Sequence, residues 1–327
     1  MGNKENEEIL DVDLLAFEQG TDTKRRAVVD GVMASLSTGF VYTQHDLSSE
    51  LLDSAYDYLQ RFFSLPQEQK DLSIVASSNG QAGYTPLLVE TAASATVPDW
   101  KEMYNWGEAL PMGHPLRKRL PHRYSEPKFP DDLLPGMSEV MTAFHASVSE
   151  LQRRFLRVIA VGLGAHEDFF EFMVKDGATL TRAIHYPAMQ AAPGEEHVWA
   201  GEHADINLIT ALPRSTAKGL QVKVGNDTWI DAAPPDGSVV INTGIMLEHL
   251  TNGIIPSGRH RVVADADQPG DRYSVVQFCH PTPWTILSPM PSCVTAENPL
   301  RFPTITANDR LEQVIFEINL VEDGRRV

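Results

Sequence analysis

Arg272-Tyr273-Ser274-Val275-Val276-Gln277-Phe278-Cys279 alternates between two faces with a period of two, the pattern of a strand buried unequally on its two sides. Arg272, Ser274, Val276 and Phe278 share one face. Shorter runs of the same kind precede it, at 180–186, 207–212, 220–224, 228–231, 238–242 and 260–264. Turn formers separate them: Pro213, Gly225-Asn226, Pro234-Pro235-Asp236-Gly237 and Pro269-Gly270-Asp271. Strands this short and this evenly punctuated predict an antiparallel sandwich or jelly roll.

Upstream the rhythm is helical. Val28, Val29, Val32, Met33 and Leu36 mark a helix near 22–37, and Phe40-Val41-Tyr42-Thr43 a short strand after the break at Gly39. A second helix follows Ser48 with Leu52, Ala55, Leu59, Phe62 and Phe63 on one stripe, and Pro66 starts a short one through Lys70. Residues 76–135 lack periodicity and read as loops with isolated strands. Met137 to Ile159 form the longest helical stripe, ended by Gly162 and Gly164. Leu311, Val314, Ile315 and Ile318 predict a closing helix over Asn308 to Asn319. The expected organisation is an α/β and helical region over 1–175, a β core over 176–290 and an extension over 291–327, all in one folded unit because no linker lies between them.

The charge balance is 27 Lys and Arg against 44 Asp and Glu, a net −17 over 327 residues. Nucleic acids and anionic membranes need a basic face, so neither is expected as a partner. Cys279 and Cys293 are the only cysteines, too few for a disulfide framework or a thiolate zinc site. The chain starts polar and acidic, unlike a signal peptide, and no apolar run approaches 18 residues, so a cytoplasmic location is expected.

Eleven histidines are present, and two of them stand out by context. Gly201-Glu202-His203-Ala204-Asp205 places an imidazole and a carboxylate two apart, on the same side of an extended segment. Gly258-Arg259-His260-Arg261-Val262 supplies a third donor from a distant strand. Two histidines and one carboxylate occupy one face of an octahedron and leave three positions open, the arrangement of non-haem Fe(II) oxygenases. A His-x-Asp pair alone is common on solvated surfaces and decides nothing. Arg272 with Ser274 suits a carboxylate held at two points; the alternative is an arginine paired with a protein carboxylate at the rim. His249 lies closer in sequence to Asp205 but lacks a following Arg-Val. His145 reads as packed and His185 as a core or rim histidine, while His280, at the start of a loop after the Arg/Ser strand, is expected at the surface, with the active-site mouth as the alternative.

Taken together, these pieces resemble the isopenicillin-N-synthase-like branch of the Fe(II)/2-oxoglutarate-dependent oxygenases, over nearly the whole chain. The resemblance runs through Gly39-Phe40, Phe62-Phe63-Ser64-Leu65-Pro66, Gly83-Tyr84-Thr85-Pro86 and Asp99-Trp100-Lys101-Glu102. It continues through His185-Tyr186-Pro187, the His203/Asp205 pair, Gly219-Leu220-Gln221-Val222, Trp229, Val240-Ile241-Asn242-Thr243-Gly244 and Thr251-Asn252-Gly253. It ends on His260-Arg261-Val262 and Arg272-Tyr273-Ser274. It implies a mainly β fold with flanking helices, built on a double-stranded β-helix (jelly-roll) core.

The same resemblance implies that His203, Asp205 and His260 bind Fe(II), that Arg272 and Ser274 hold the far carboxylate of 2-oxoglutarate, and that Tyr186 adds a hydrogen bond. With O2, such an enzyme oxidises a C–H bond of a small molecule and releases succinate and CO2. Hydroxylation is the usual outcome, and desaturation or cyclisation are open to it. Two departures stand out: Ile184 where many members have Asn, and Ile245 where an Asp is common. Relatives of the isopenicillin N synthase and aminocyclopropane-carboxylate oxidase kind keep the Arg-x-Ser pair without using 2-oxoglutarate, so the pair does not fix the cosubstrate. A non-catalytic jelly-roll binding protein is a third reading. For substrate contacts, Arg182 shares the parity of Tyr186 and is expected either to meet a substrate carboxylate or to form a rim salt bridge. Tyr84, Tyr104, Trp106 and Trp199 are candidates to line or cover the mouth, the alternative being a place in the core, where aromatics in this number more often lie.

Overall fold

The computed structural model describes residues 8–317 except 79, 92–96, 193, 195, 196, 226 and 265–269. Asn226, Pro269, Ile318 and Asn319, and the side chain of Ile315, therefore lie outside the described residues. Twelve strands build the two main sheets. They are β1 Asp11–Asp13, β2 Phe40–Gln44, β3 Gly83–Thr85, β4 Glu102–Gly107, β5 Leu180–Tyr186, β6 Ala200–His203, β7 Ile209–Ser215, β8 Leu220–Val224, β9 Thr228–Asp231, β10 Val239–Thr243, β11 His260–Val262 and β12 Arg272–Cys279. The large sheet runs β1-β2-β10-β7-β12-β5-β4-β3 and the small one β6-β11-β8-β9, antiparallel apart from the β1/β2 pair. This is the jelly-roll architecture of facing sheets. Phe40, Tyr42, Leu212 and Val240 of the large sheet pack on Val222 and Val224 of the small one. Four strands from before residue 175 belong to the large sheet, so that sheet runs on across the sequence division expected there.

Helices cover the outer face of the large sheet. Ser49–Phe63 starts where the Ser48 hydroxyl accepts from Leu51 N–H at 3.2 Å, and buries Leu52, Ala55, Tyr56, Leu59, Phe62 and Phe63. Met137–Gly162 buries a stripe including Met141, Phe144, Val148, Leu151, Phe155 and Ile159. Its Gln152 donates to the carbonyls of Gln277 (2.8 Å) and Ile209 (3.3 Å), tying the helix to β12 and β7. Gly164, at φ 70°, carries the chain out of that helix.

Pro213 is a departure from expectation. Read in sequence as a strand break, it lies inside β7, at the point where the β7/β12 register shifts between Val275 and Gln277. A bulge needs no ladder donor from the proline, which is why a central strand tolerates it there. Residues 76–135 do hold two strands, β3 and β4, together with the short helix Pro115–Arg119.

Candidate active site

Between the two sheets lies a cavity of about 480 Å³. The alternation read from sequence is realised in it. Arg182, Ile184 and Tyr186 of β5 and Arg272, Ser274, Val276 and Phe278 of β12 all line it, with Arg272 opposite Tyr186 and Ser274 opposite Ile184. The small sheet supplies the facing wall.

His203 ends β6 and His260 begins β11, and the two are register partners. With Asp205 they bring three donor atoms within 4.8 Å of one another. The Nδ1 of His203 lies 2.8 Å from Gly201 O, and that of His260 lies 3.0 Å from Gly258 O. A carbonyl only accepts, so each Nδ1 carries the proton and each Nε2 keeps its lone pair for a metal. Burial first, and His260 next, push the His203 imidazole down to about 4, which keeps it neutral at physiological pH. Asp205 Oδ2 accepts from Thr210 Oγ1 at 2.5 Å and Asn242 Nδ2 at 2.7 Å, which leaves Oδ1 on the side of His203. Burial raises the Asp205 pKa, but His260 and His203 outweigh it and hold the carboxyl below its ordinary value. Two imidazoles, each with Nδ1 held on a backbone carbonyl, and one carboxylate are a donor set that fits Fe(II) with open positions.

Arg272 lies next to this centre and is 1% exposed. Its Nε donates to Ala217 O and Lys218 O (3.2 and 3.1 Å) and its Nη1 to Ser274 Oγ (3.2 Å). Its guanidinium carbon lies 5.0 Å from the Tyr186 ring centre. Among the described residues no carboxylate reaches it. A buried cation without a protein counter-ion is costly, so the site is built for an anion.

Several sequence expectations about substrate contacts change. Tyr84, Tyr104, Trp106 and Trp199 do not line the cavity. In β4, Glu102, Tyr104 and Trp106 point toward the helices, while Met103 and Asn105 share the cavity side with their partners Ile184 and Arg182. Tyr84 donates to Glu102, Tyr104 to Lys128 O and Trp106 to Met141 O, all in the core. Trp199 packs behind Tyr186 and donates to Pro187 O. Arg182 faces the cavity but is already paired, its Nη1 lying 3.2 Å from Glu90 Oε1. His280, expected at the surface in preference to the active-site mouth, is buried and lines the cavity. His249 instead meets Pro303 O and His145 meets Thr181 Oγ1. His185 lies between Glu102 and Asp271.

Sequence reasoning missed the residues that hold Asp205, Thr210 and Asn242. It also missed the wall of Glu90, Asp99 and Lys101, which lies on or beside a loop without periodicity. Leu311 and Val314 of the closing helix, Ala307–Glu317, complete the lining.

Comparison with known proteins extends the likeness over both halves of the chain. The family described as non-haem dioxygenase in morphine synthesis N-terminal matches residues 9–131, and the 2OG-Fe(II) oxygenase superfamily matches residues 178–281. Azadirone synthase LFS of Melia azedarach is 33% identical over 285 residues, 83% of this chain and 82% of its own. The 2-oxoglutarate-Fe(II) type oxidoreductase hxnY of Emericella nidulans is 30% identical, over 83% of this chain and 78% of its own. A solved 2OG-Fe(II) oxygenase family protein from Caulobacter crescentus superposes with a TM-score of 0.83 at 34% identity, covering 95% of this chain and 99% of that one. A full-length Neurospora crassa protein, solved in complex with alpha-KG and thymine, superposes with a TM-score of 0.81 at 29% identity, over 94% and 96%. The chain thus belongs to the 2OG-Fe(II) oxygenase superfamily and is an Fe(II)- and 2-oxoglutarate-dependent oxygenase.

Proposed function

We propose that His203, Asp205 and His260 hold the Fe(II), that Arg272 and Ser274 with Tyr186 hold the far carboxylate of 2-oxoglutarate, and that the substrate is a small organic molecule oxidised at a C–H bond. The observation that carries this reading is the buried Arg272, uncompensated by any described carboxylate, beside three converging metal donors. When bound, Fe(II) with 2-oxoglutarate and O2 supplies the oxidant, and succinate and CO2 leave. The residues do the positioning. Gly201 O and Gly258 O fix the ring orientation of the two imidazoles, and Thr210 and Asn242 fix the Asp205 carboxylate. Arg272 fixes one end of the keto acid and so its orientation. Ile184, Val276, Leu311 and Val314 give the cavity apolar walls that exclude water. A small substrate accords with a cavity of about 480 Å³ and with relatives whose names and ligands are small molecules.

The test is metal content and succinate release in His203→Ala and Asp205→Ala. The expected result is loss of stoichiometric Fe(II) and of succinate in both. Retention of wild-type metal affinity by both variants would overturn the assignment.

A further inference from the structure

We propose that Glu90 is a specificity-determining residue: by neutralising Arg182 it selects substrates that carry no charge where they meet that side chain. The inference rests on the assignment of Arg272 to 2-oxoglutarate.

The charges lining the cavity pair off almost completely. Glu90 accepts from Lys101 Nζ at 2.6 Å and from Arg182 Nη1 at 3.2 Å, and Lys101 also meets Asp99 Oδ2 at 2.9 Å. Two cations and two carboxylates thus form one buried, balanced cluster. At the mouth, Arg259 Nε lies 2.7 Å from Glu202 Oε1. Of the cavity-lining cations among the described residues, only Arg272 has no carboxylate partner. Burial raises the Glu90 pKa, but Lys101 and then Arg182 outweigh it and hold the carboxyl well below the ordinary range, so the cluster stays ionised. A substrate carboxylate beside Arg182 would lose its hydration and find no uncompensated cation.

His280 defines what the substrate offers instead. It is 8% exposed, lines the cavity and makes no side-chain hydrogen bond to a described residue. Burial first, and Arg123 next, hold it near 3, so it is a neutral imidazole with one donor and one acceptor. Such a group pairs with a carbonyl, hydroxyl or amide. Leu180, Ile184, Val276, Phe278, Leu311 and Val314 supply apolar wall, and Gln81 and Thr91 add neutral polar side chains. The substrate class is a largely apolar, uncharged molecule with at least one such polar group.

The probes are aromatic and alicyclic carboxylic acids, each matched with its own primary amide, and binding is read by calorimetry. Wild type, Glu90→Gln and the double variant Glu90→Gln/Arg182→Gln are each loaded with Mn(II) and 2-oxoglutarate. Wild type is expected to bind the amides at least about tenfold more tightly than the acids. Glu90→Gln, which frees a positive charge, is expected to shift the ratio about tenfold or more toward acids, and the double variant to return it. Acids binding wild type as tightly as amides, no amide binding at all, or an unshifted ratio in folded Glu90→Gln would each overturn the inference. If Glu90→Gln does not fold, the wild-type ratio decides. Failure to take up Mn(II) or 2-oxoglutarate counts against the proposed function alone. The ratio is then read in metal-free Arg272→Met protein, where that guanidinium no longer draws the acids.

Discussion

His203 and His260 face each other across the β6/β11 pair with ring centres 4.2 Å apart, and each holds its Nδ1 proton on the carbonyl two residues before it. The strand pairing thus sets the separation of the two imidazoles, and each segment's own backbone carbonyl sets the tautomer. Asp205, in contrast, follows the end of β6 and depends on side chains to be aimed.

Asn242 is the clearest of those side chains, because its Nδ2 donates to Asp205 Oδ2 at 2.7 Å from the neighbouring wall of β10. Asn242→Ala is expected to weaken metal binding about 10- to 100-fold, the usual cost of losing a group that orients a ligand. A Mn(II) titration of the purified variant checks this, and an unchanged affinity would show that Thr210 alone orients the carboxylate.

Gly39 acts on the same centre from a distance in sequence. Its φ is 78°, and a Cβ there would come within 2.5 Å of Gly258 Cα, the residue whose carbonyl holds His260 Nδ1. Gly39→Ala therefore combines a left-handed backbone cost of about 1–2 kcal/mol with displacement of that carbonyl. The expected outcome is a lower unfolding free energy in denaturant together with weaker Mn(II) binding. Loss of stability with metal affinity intact would separate the two effects.

What the sequence disclosed divides by physical cause. The parity of β12 and β5 was legible because alternation is intrinsic to a strand, so the cavity-facing positions of Arg272, Ser274, Arg182 and Tyr186 follow from it. For β4 the bare pattern does not say which face meets the helices, and that face took Tyr104 and Trp106. Glu90, Asp99 and Lys101 gave no periodic signal, and their pairing exists only because β4 and the loop before it fold against Arg182. The burial of His280 comes from tertiary packing, and Leu311 of a helix much later in the chain lines cavity space beside it. Local patterning does not encode contacts of that kind.

His145 gives the pH prediction. Buried against Thr181 and Gln277, its imidazole is pushed down from 6.5 to about 4 by burial. Between those values the unfolded chain binds the proton and the folded chain does not, so stability rises with pH across that window and falls as pH drops through it. From pH 7 to pH 5 His145 is expected to remove about 2 kcal/mol of unfolding free energy. His145→Gln should flatten the denaturant-unfolding profile by that amount over the same range. Parallel profiles for wild type and variant would show that the imidazole is protonated within the fold.

Arg272 separates binding from stability. In the absence of 2-oxoglutarate its charge is buried, and among the described residues it meets the carbonyls of Ala217 and Lys218, the Ser274 hydroxyl and Tyr186 but no carboxylate. Burial accordingly holds its pKa below the ordinary value. Met at this position fills similar volume without a charge to desolvate, so Arg272→Met is expected to melt no lower than wild type when both are free of 2-oxoglutarate. Affinity should move the other way. Removing one partner of a buried charge pair costs about 2–5 kcal/mol, so the Kd for 2-oxoglutarate in the Mn(II) protein should rise from about 30-fold to a few thousand-fold. The rise in Tm that 2-oxoglutarate gives wild type should disappear in the variant, because stabilisation by a ligand scales with its affinity for the folded state alone. A variant that melts far below wild type yet binds 2-oxoglutarate normally would make Arg272 a structural residue, and the anion would then belong elsewhere in the cavity.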